Sequence, residues 1–441
     1  MIVSTLERGR LFQLVTRFAA GVLCLWASSH ALADQVRQPL PSPANNAALH
    51  YQRAILFLDA VDPDKRAILR KPIWEIVNAG TTPEELKKID ELLIAARHAI
   101  RAALVGASQL QADFGADLRE YSSSATLPHV GPMSELANLV ALHGLHKQAE
   151  GEMTRAAQRF VQVVRMGNHM TQQLTLAEVL EGEKILETAF HVVCGWAVEC
   201  SDKQLLNSAR AALLSSSSGS LSPARALGFE ASVLDETLDH ITAAYPDGNW
   251  AELILHAVDA QPADLTPARL RAAAKAAIVE RGVPESIFDS PESFDEHIEQ
   301  LRDAHTTYYD RSVSCLILSA PRSVQLGQQI HDELAPKLKE LGDPKVLNPG
   351  RLAAYYAVRQ AERRVAGLVL ALSIHKQKGL FPAKLAEVIE EFGGKLPVNP
   401  MGGGPAVYVP TADRKGFTLS YPGTKIAGIE LPEVSYSHGS P

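Results

Sequence analysis

Hydrophobic positions recur with a helical period through most of the chain after residue 46. In the first such segment Ala48, Tyr51, Ile55 and Leu58 recur every three or four residues, up to a stop at Asp62-Pro63. Apolar residues at this spacing share one face of an α-helix. The same pattern predicts further helices near 134–148, 151–168, 174–194, 222–243, 249–258, 266–281 and 291–341.

The helical pattern is most coherent after Asn348-Pro349-Gly350, where an apolar stripe runs from Leu352 to Ile374. A helix of about 28 residues would be about 42 Å long. After Pro382 come a short helix, a loop rich in glycine and proline, and two strand-like runs at 406–409 and 417–421. We therefore predict a mainly α fold, either a multi-helix bundle or an irregular array of helical hairpins. A small C-terminal α+β module, made of the long helix and short antiparallel strands, completes it.

Two local features mark the first half of the chain. Thr82-Pro83-Glu84-Glu85 predicts a helix start, with Thr82 as N-cap and Pro83 at the first helical position. We expect this helix to run to about Val105. Residues 112–132 then form a long polar interruption rich in turn residues. Loops of this length in compact domains are often functional.

One pair of predicted helices resembles a tetratricopeptide hairpin. Val140, Gly144, Ala156 and Phe160 have the spacing of that repeat's signature positions, although Val140 stands where the repeat has Trp. No second copy follows at a period near 34, and a solenoid needs about three. A single helical hairpin within a bundle is the favoured interpretation, and a peptide-binding helical-repeat protein is the alternative.

The first 33 residues have the pattern of a signal peptide. Arg8, Arg10 and Arg17 precede the apolar run 18–26, and Ala31-Leu32-Ala33 supplies an A-x-A cleavage site before Asp34. The apolar run is too short to span a bilayer comfortably. We expect export to the periplasm or cell envelope. The predicted organisation is a signal peptide (1–33), a Pro-rich linker (34–45), a helical body (46–345), a long helix with α+β tail (346–423) and a C-terminal extension (424–441).

Charge limits the partners that the mature chain is expected to have. The full sequence has a formal net charge of −7, and removal of Arg8, Arg10, Arg17 and Glu7 with the signal peptide makes it more negative. The sequence contains no block of Lys and Arg, so binding to nucleic acid has no electrostatic basis. No later stretch of 18 apolar residues predicts an integral membrane segment after signal cleavage.

Three cysteines follow the signal peptide, at 194, 200 and 315. An odd number excludes a fully paired disulfide framework. Cys194 and Cys200 would lie about 9 Å apart along a continuous helix, which is too far for a bond. A disulfide between them therefore requires Gly195 to break the helix, and buried free thiols are the alternative.

The histidines supply the sequence's weak candidates for metal ligands. His143, His146 and Glu150 share one helical face. Neither His-Glu-x-x-His nor a pair of Glu-x-x-His motifs accompanies them, so we predict no metal site and no cofactor. Other Glu/His pairs at a spacing of four, such as Glu187/His191, are interpreted as solvated helix faces.

The C-terminal region resembles the globular region of the major type II secretion pseudopilins. In that family a helix ends in G-x-Y/F-P, and L-P-x-D-P, a Y-x-Y strand and a closing strand follow. Asn399 stands where the family has Asp, and the acidic calcium-binding loop is not seen after Gly423, so calcium binding is not carried over. The matching residues are Gly379, Pro382, Leu385, Pro397, Pro400, Tyr408, Gly416 and Tyr421.

The physical expectation for this region is that Gly379 adopts positive φ and ends the long helix, and that Pro382 prevents its continuation. The whole layout, beginning with Asn46-Ala-Ala-Leu-His-Tyr51, is similar to a broad group of uncharacterised exported bacterial helical proteins. That resemblance implies organisation and location rather than a reaction.

These features together favour an exported, non-catalytic helical scaffold or interaction protein at the cell envelope, with a protein as its partner. The sequence contains no Walker A pattern and no G-x-S-x-G elbow. The main alternative is an enzyme of unrecognised type, a hydrolase with its site near the 112–132 loop and His143/His146, in which Asp113 would join the histidines and Glu150.

Overall fold

The chain is mainly α with a small C-terminal α+β module, as predicted. The computed structural model describes residues 45–73, 83–115, 127–215, 223–244, 286, 290–341 and 346–439. The predicted signal peptide, nearly all of the Pro-rich linker, Thr82 and the predicted helices at 249–258 and 266–281 lie outside these residues.

The helices follow in chain order, with two 3-10 helices at Ala67–Arg70 and Leu385–Phe392. The helices are α1 (Ala47–Asp59), α2 (Pro63–Arg66), α3 (Pro83–Ala95), α4 (Arg97–Ala107), α5 (Val130–Ala149), α6 (Met153–Thr171), α7 (Leu176–Glu199), α8 (Lys203–Ser215), α9 (Pro223–Ala244), α10 (Pro291–Leu316), α11 (Ala320–Glu340) and α12 (Pro349–Ile374).

Polar side chains fix where several helices begin. The Asn46 side chain accepts a hydrogen bond from the Ala48 backbone N–H at the start of α1. Asn348 caps α12 in the same way, with Pro349 at the first helical position. Each cap satisfies a backbone donor that has no partner within the helix. The helix predicted from Thr82 to about Val105 is divided into α3 and α4 at Ala96.

The predicted helical hairpin is formed by α5 and α6. A methyl group at Gly144 would lie 2.5 Å from Cε1 of the Phe160 ring, so only glycine lets these helices approach this closely. Both residues are buried. The hairpin packs against α7, which contacts both of its helices.

Helix α12 joins the helical body to the tail. It packs against α7, α8 and α11 on one side and against β2, β4 and β5 on the other. Buried side chains from residue 47 to residue 434 form one continuous core. The predicted boundary between a body ending at residue 345 and a tail beginning at 346 is therefore not a break in packing. A second, smaller core cluster lies between α10 and α11.

Three antiparallel strands form the tail sheet in the order β1-β2-β5, and β3 pairs with β4 as a separate hairpin. The predicted closing strand is central, because β2 pairs with β1 on one side and β5 on the other. The boundary predicted at residue 423 is therefore wrong, since residues beyond it complete the sheet. The strands are β1 (Val407–Pro410), β2 (Phe417–Tyr421), β3 (Thr424–Ile426), β4 (Ile429–Leu431) and β5 (Val434–His438).

Gly379 has the predicted positive φ, +81°, but it does not end the long helix. Helix α12 ends at Ile374, and its C-cap is His375. Gly379 instead follows Lys378, which also has positive φ, in a tight turn where Gln377 and Leu380 exchange backbone hydrogen bonds. Two consecutive residues with positive φ are typical of a hairpin turn that favours glycine.

All three cysteines of the described chain are buried free thiols. The possible Cys194–Cys200 disulfide is therefore absent. The reason is that α7 continues through Gly195 to Glu199, so the two residues remain too far apart along the helix for bonding. Burial raises the pKa of the Cys194 thiol far above its ordinary value, which makes this group a weak nucleophile.

Candidate functional site

A groove of about 490 Å³ lies between α3–α4 and the C-terminal half of α5. Its first wall is formed by Leu93, Ile94, Arg97, Ile100, Arg101 and Leu104. Its second wall is formed by His143, His146 and Lys147, and Asp90 closes one end. We call this feature the α3–α5 groove.

An exposed row on one face of α3–α4 includes Ile94, Arg97 and Arg101, which line the groove, and continues to Val105 one turn beyond them. Arg97, Arg101 and Val105 are four residues apart, and Ile94 precedes them in the last turn of α3. Ile94 and Val105 expose 65% and 41% of their surface, which is high for aliphatic side chains. Within the described chain neither arginine forms an ion pair or side-chain hydrogen bond. The row therefore offers two uncompensated cations between two exposed aliphatic groups.

His143 lies at the back of the groove, where it is half-buried. Burial, together with the nearby Arg159 and Lys147, lowers the pKa of His143 to about 4. Its Nδ1 atom is buried and has no hydrogen-bond partner in the described part of the chain. The imidazole is therefore neutral near pH 7, and the positive charge of the groove is concentrated at the arginines.

His146 pairs with two carboxylates. Its Nδ1 lies 3.3 Å from the Asp90 carboxylate and its Nε2 lies 3.2 Å from the Glu150 carboxylate. Lys147 also contacts Glu150, and this hydrogen bond raises the pKa of the lysine. Of the weak metal candidates, His146 and Glu150 are thus in contact, and both affect the pKa of His143 electrostatically. The described residues contain no group of three or more His, Cys, Asp or Glu arranged to hold a metal ion.

The structure does not bring Asp113 to these histidines. The Asn46 side chain accepts a hydrogen bond from the Asp113 backbone N–H and donates one to the Asp113 carbonyl, each at 2.9 Å. Asp113 is therefore held at the N-terminus of α1 and does not line the α3–α5 groove. Residues 116–126 of the predicted 112–132 loop lie outside the described chain.

A second polar cluster, which the sequence did not predict, lies where α5 and α7 begin. His129 Nε2 lies 2.8 Å from the Glu178 carboxylate, and Glu178 also accepts a hydrogen bond from the Thr175 hydroxyl. Glu178 has no exposed surface, and the Phe114 ring stacks on His129 at 4.0 Å. The Thr-x-x-Glu spacing is a visible capping-box signal, but nothing in the sequence places His129 beside it.

A third polar cluster connects α7 with α12. Arg359 lies 2.7 Å from both Glu187 and Glu362, and Arg363 lies 3.8 Å from Glu183. Burial raises the pKa of Glu183, while Arg363 and Arg359 oppose that change. The interpretation of Glu187 as part of a solvated face is wrong, because α12 covers it. Both arginines lie against carboxylates of α7, so we assign the cluster a structural role in joining α12 to α7.

The tail residues of the pseudopilin-like motif hold the module together. The Tyr408 hydroxyl donates to the Pro382 carbonyl at 2.8 Å, and the Tyr421 hydroxyl donates to the Pro397 carbonyl at 2.7 Å. Gly416 lies directly against the backbone of β5, where a side chain would clash. Leu385 is half-buried and Pro400 is buried. These positions connect strands to loops, and both tyrosine hydroxyls are engaged by backbone carbonyls.

Asn399, which stands where the pseudopilin family has Asp, uses both ends of its amide. Its Oδ1 accepts a hydrogen bond from the Met401 N–H, and its Nδ2 donates one to the Pro422 carbonyl, each at 2.9 Å. An ionised aspartate could make only the first of these bonds. The amide therefore fits this buried position better than a carboxylate would.

No family model, curated protein or solved structure matches the chain. None of the described helices is both long and apolar enough to cross a membrane.

Proposed function

We propose that this chain is an exported, non-catalytic helical interaction protein of the cell envelope, and that its protein partner binds in the α3–α5 groove. The observation that carries the proposal is the exposed row of Ile94, Arg97, Arg101 and Val105. Aliphatic side chains and arginine are the groups that protein interfaces use as anchors. The His129–Glu178 and Arg359–Glu187 pairs are buried within the fold, whereas this row is exposed and open to a partner.

Peptide binding, the alternative suggested by the tetratricopeptide-like hairpin, is included in this proposal. A peptide-binding helical protein needs a concave surface lined by side chains such as arginine. The α3–α5 groove supplies that surface, and α5 is the first helix of the predicted hairpin. What supports the interpretation is the groove beside the hairpin, not a series of repeats.

Site-specific photo-cross-linking in the native envelope tests the proposal. A photo-reactive amino acid at Ile94 should form a discrete adduct with a partner protein. The same amino acid at Ile317, an aliphatic position exposed to 73% on the turn after α10, is the matched control and should not. Equal adducts at both positions, or none at Ile94, would contradict the proposal.

Export is supported by the basic, apolar and A-x-A segments of residues 1–33. The chain recovered from the periplasm should have the mass expected for a sequence that begins at Asp34. Recovery of an envelope-associated chain that retains residues 1–33 would contradict cleavage at this site.

The relationship between the tail and the pseudopilins is likewise a proposal. It is supported by the turn at Gly379, the two tyrosine–carbonyl hydrogen bonds and the order of the strands. Because α12 is buried between the body and the sheet, we expect no assembly of filaments through this helix. Filaments of the purified mature chain in electron micrographs would contradict that expectation.

A further inference from the structure

The spacing of the exposed row on α3–α4 indicates which secondary structure and charge the partner segment has. We propose that the occupant of the α3–α5 groove is an acidic amphipathic helix of the partner, with two carboxylates one helical turn apart and an aliphatic residue beyond each. This inference rests on the proposed function, because it identifies the partner of the same groove.

The geometry of α4 supports a helical partner. Arg97 and Arg101 are separated by four residues, which corresponds to a rise of about 6 Å along the helix axis. Two carboxylates four residues apart on a second helix have the same rise, so both pairs can form at once when the helices are aligned. An extended strand would present carboxylates on one face about 6.7 Å apart, a wider spacing than the rise between the two arginines.

The aliphatic ends of the row support an amphipathic partner. Val105 is one turn beyond Arg101, and Ile94 lies just before Arg97. On the partner, aliphatic residues three or four positions outside the two acids would meet them. Beside the arginines, the half-buried Leu104 and the buried Ile100 contribute apolar surface to the groove. The partner helix therefore needs an apolar face beside its acidic pair, as in helix-in-groove recognition.

Charge complementarity specifies an acidic partner. Arg97 and Arg101 are exposed and unpaired within the described chain, although the protein as a whole has a net charge of −7. Lys147, the third cation of the groove, is held by Glu150 and Glu152. The guanidinium groups are therefore the cations that remain for the partner's carboxylates, and guanidinium binds carboxylate in a bidentate geometry.

The negative charge at one end of the groove determines where along the groove the acidic helix binds. Asp90 lies beside His146 at 3.3 Å, about two turns before Arg97. An acidic pair placed there would face Asp90, whereas the same pair at Arg97 and Arg101 meets two cations. The complex should form weakly and be sensitive to salt, because exposed ion pairs are screened by solvent and by ions.

Calorimetric titration of the mature chain with a designed peptide tests this inference. The probe is a helical peptide of about 16 residues, with two Glu four positions apart and a Leu one turn outside each. We expect micromolar binding that weakens with added NaCl. The Arg97→Glu/Arg101→Glu variant should bind at least about tenfold more weakly, and Arg97→Gln/Arg101→Gln should be intermediate. Circular dichroism and thermal unfolding verify that both variants are folded.

A charge exchange makes the test specific. A peptide with Lys in place of both Glu should bind Arg97→Glu/Arg101→Glu and not the parent chain. The control variant Arg322→Glu/Arg351→Glu changes two exposed arginines on other helices and should bind the acidic peptide like the parent. Equal binding of the acidic peptide to the parent chain and to Arg97→Glu/Arg101→Glu, or no binding to the parent, would overturn the inference.

Two further outcomes separate this inference from its foundation. Binding of the parent chain to phosphatidylglycerol vesicles that is lost in Arg97→Glu/Arg101→Glu would assign the row to a lipid surface and overturn the acidic helix. An adduct at Ile94 in the envelope without peptide binding would overturn the acidic helix and leave the proposed function standing. If neither the adduct at Ile94 nor peptide binding is observed, the proposed function and the acidic helix are both overturned.

Discussion

The Arg359 guanidinium lies 2.7 Å from the Glu187 carboxylate, and both side chains are more than nine-tenths buried between α12 and α7. Glu362, three residues along α12, contacts the same guanidinium. Burial lowers the pKa of Arg359, but the two carboxylates outweigh it and raise the pKa overall. The helix that carries the tail is thus joined to the body by charges withdrawn from water, which is favourable only while they remain paired.

Arg359→Met should therefore lower the free energy of unfolding by about 3–5 kcal/mol, because it removes the cation that both carboxylates contact. Urea denaturation measures this loss. Adding Glu187→Gln to Arg359→Met should recover part of it, since one buried charge is then removed. Arg165→Met, at an exposed arginine of α6, is the control and should change stability by less than about 0.5 kcal/mol. A loss of that small size for Arg359→Met would refute the role of the pair.

Gly144→Ala should destabilise the α5–α6 hairpin by about 1–3 kcal/mol, because the new methyl group overlaps the Phe160 ring. Phe160→Leu combined with Gly144→Ala should cost less than the sum of the two changes. Gly195→Ala is the matched control, since Gly195 is also within a helix but a methyl group there meets nothing within 4 Å. That control should stabilise the chain by up to about 1 kcal/mol. Equal effects of the two alanines in thermal unfolding would contradict the close crossing.

His169 should make stability depend on pH. Burial lowers the pKa of His169 to about 4 from its ordinary value of 6.5, and the ring is hydrogen-bonded to Tyr51 at 2.8 Å. Between these two values the unfolded chain binds the proton and the folded chain does not. Stability should therefore fall as the pH decreases from 6.5 towards 4, by up to about 3 kcal/mol from this group.

The difference between the parent chain and His169→Gln isolates that effect from the carboxyl groups. The variant should be less stable at pH 7, and its deficit should shrink as the pH approaches 4. A deficit that is independent of pH in urea titrations would show that His169 does not stay neutral in the folded chain.

Gly379→Val should destabilise the tail by about 1–2 kcal/mol, because a β-branched residue is strained at φ +81°. The space around Gly379 is open, so the cost comes from the backbone alone. Lys378→Gly is the complementary variant. It should stabilise the same turn slightly, since Lys378 also has positive φ. Unchanged unfolding of Gly379→Val would refute the turn.

Features encoded by neighbouring residues could be predicted from the sequence. Asn348 and Pro349 mark the start of α12, and Gly144 with Phe160 marks a close helix crossing, because each depends on residues a few turns apart. The positive φ of Gly379 is predicted correctly, but its role as the end of the long helix is not. Lys378 also has positive φ, so the two residues form a separate turn that begins four residues after the helix ends.

Features that depend on distant segments could not be predicted. In the sequence the glutamates of α7 resemble a solvated helix face. In the fold they are buried and paired with Arg359 and Arg363 of α12, which are far away in the chain. The fifth strand was assigned to an extension because its composition is polar, yet its pairing with β2 buries Val434. The groove likewise depends on α5 lying beside Arg97 and Arg101.

The measurement that tests the central claim most directly is the yield of the Ile94 photo-adduct in envelopes carrying either charge-reversed variant. Mass spectrometry of the adduct then identifies the partner segment that contacts Ile94. We predict that the adduct disappears with Arg97→Glu/Arg101→Glu, persists with Arg322→Glu/Arg351→Glu and contains an acidic segment of one protein. An adduct whose yield is the same in both variants would contradict the claim that this row binds the partner.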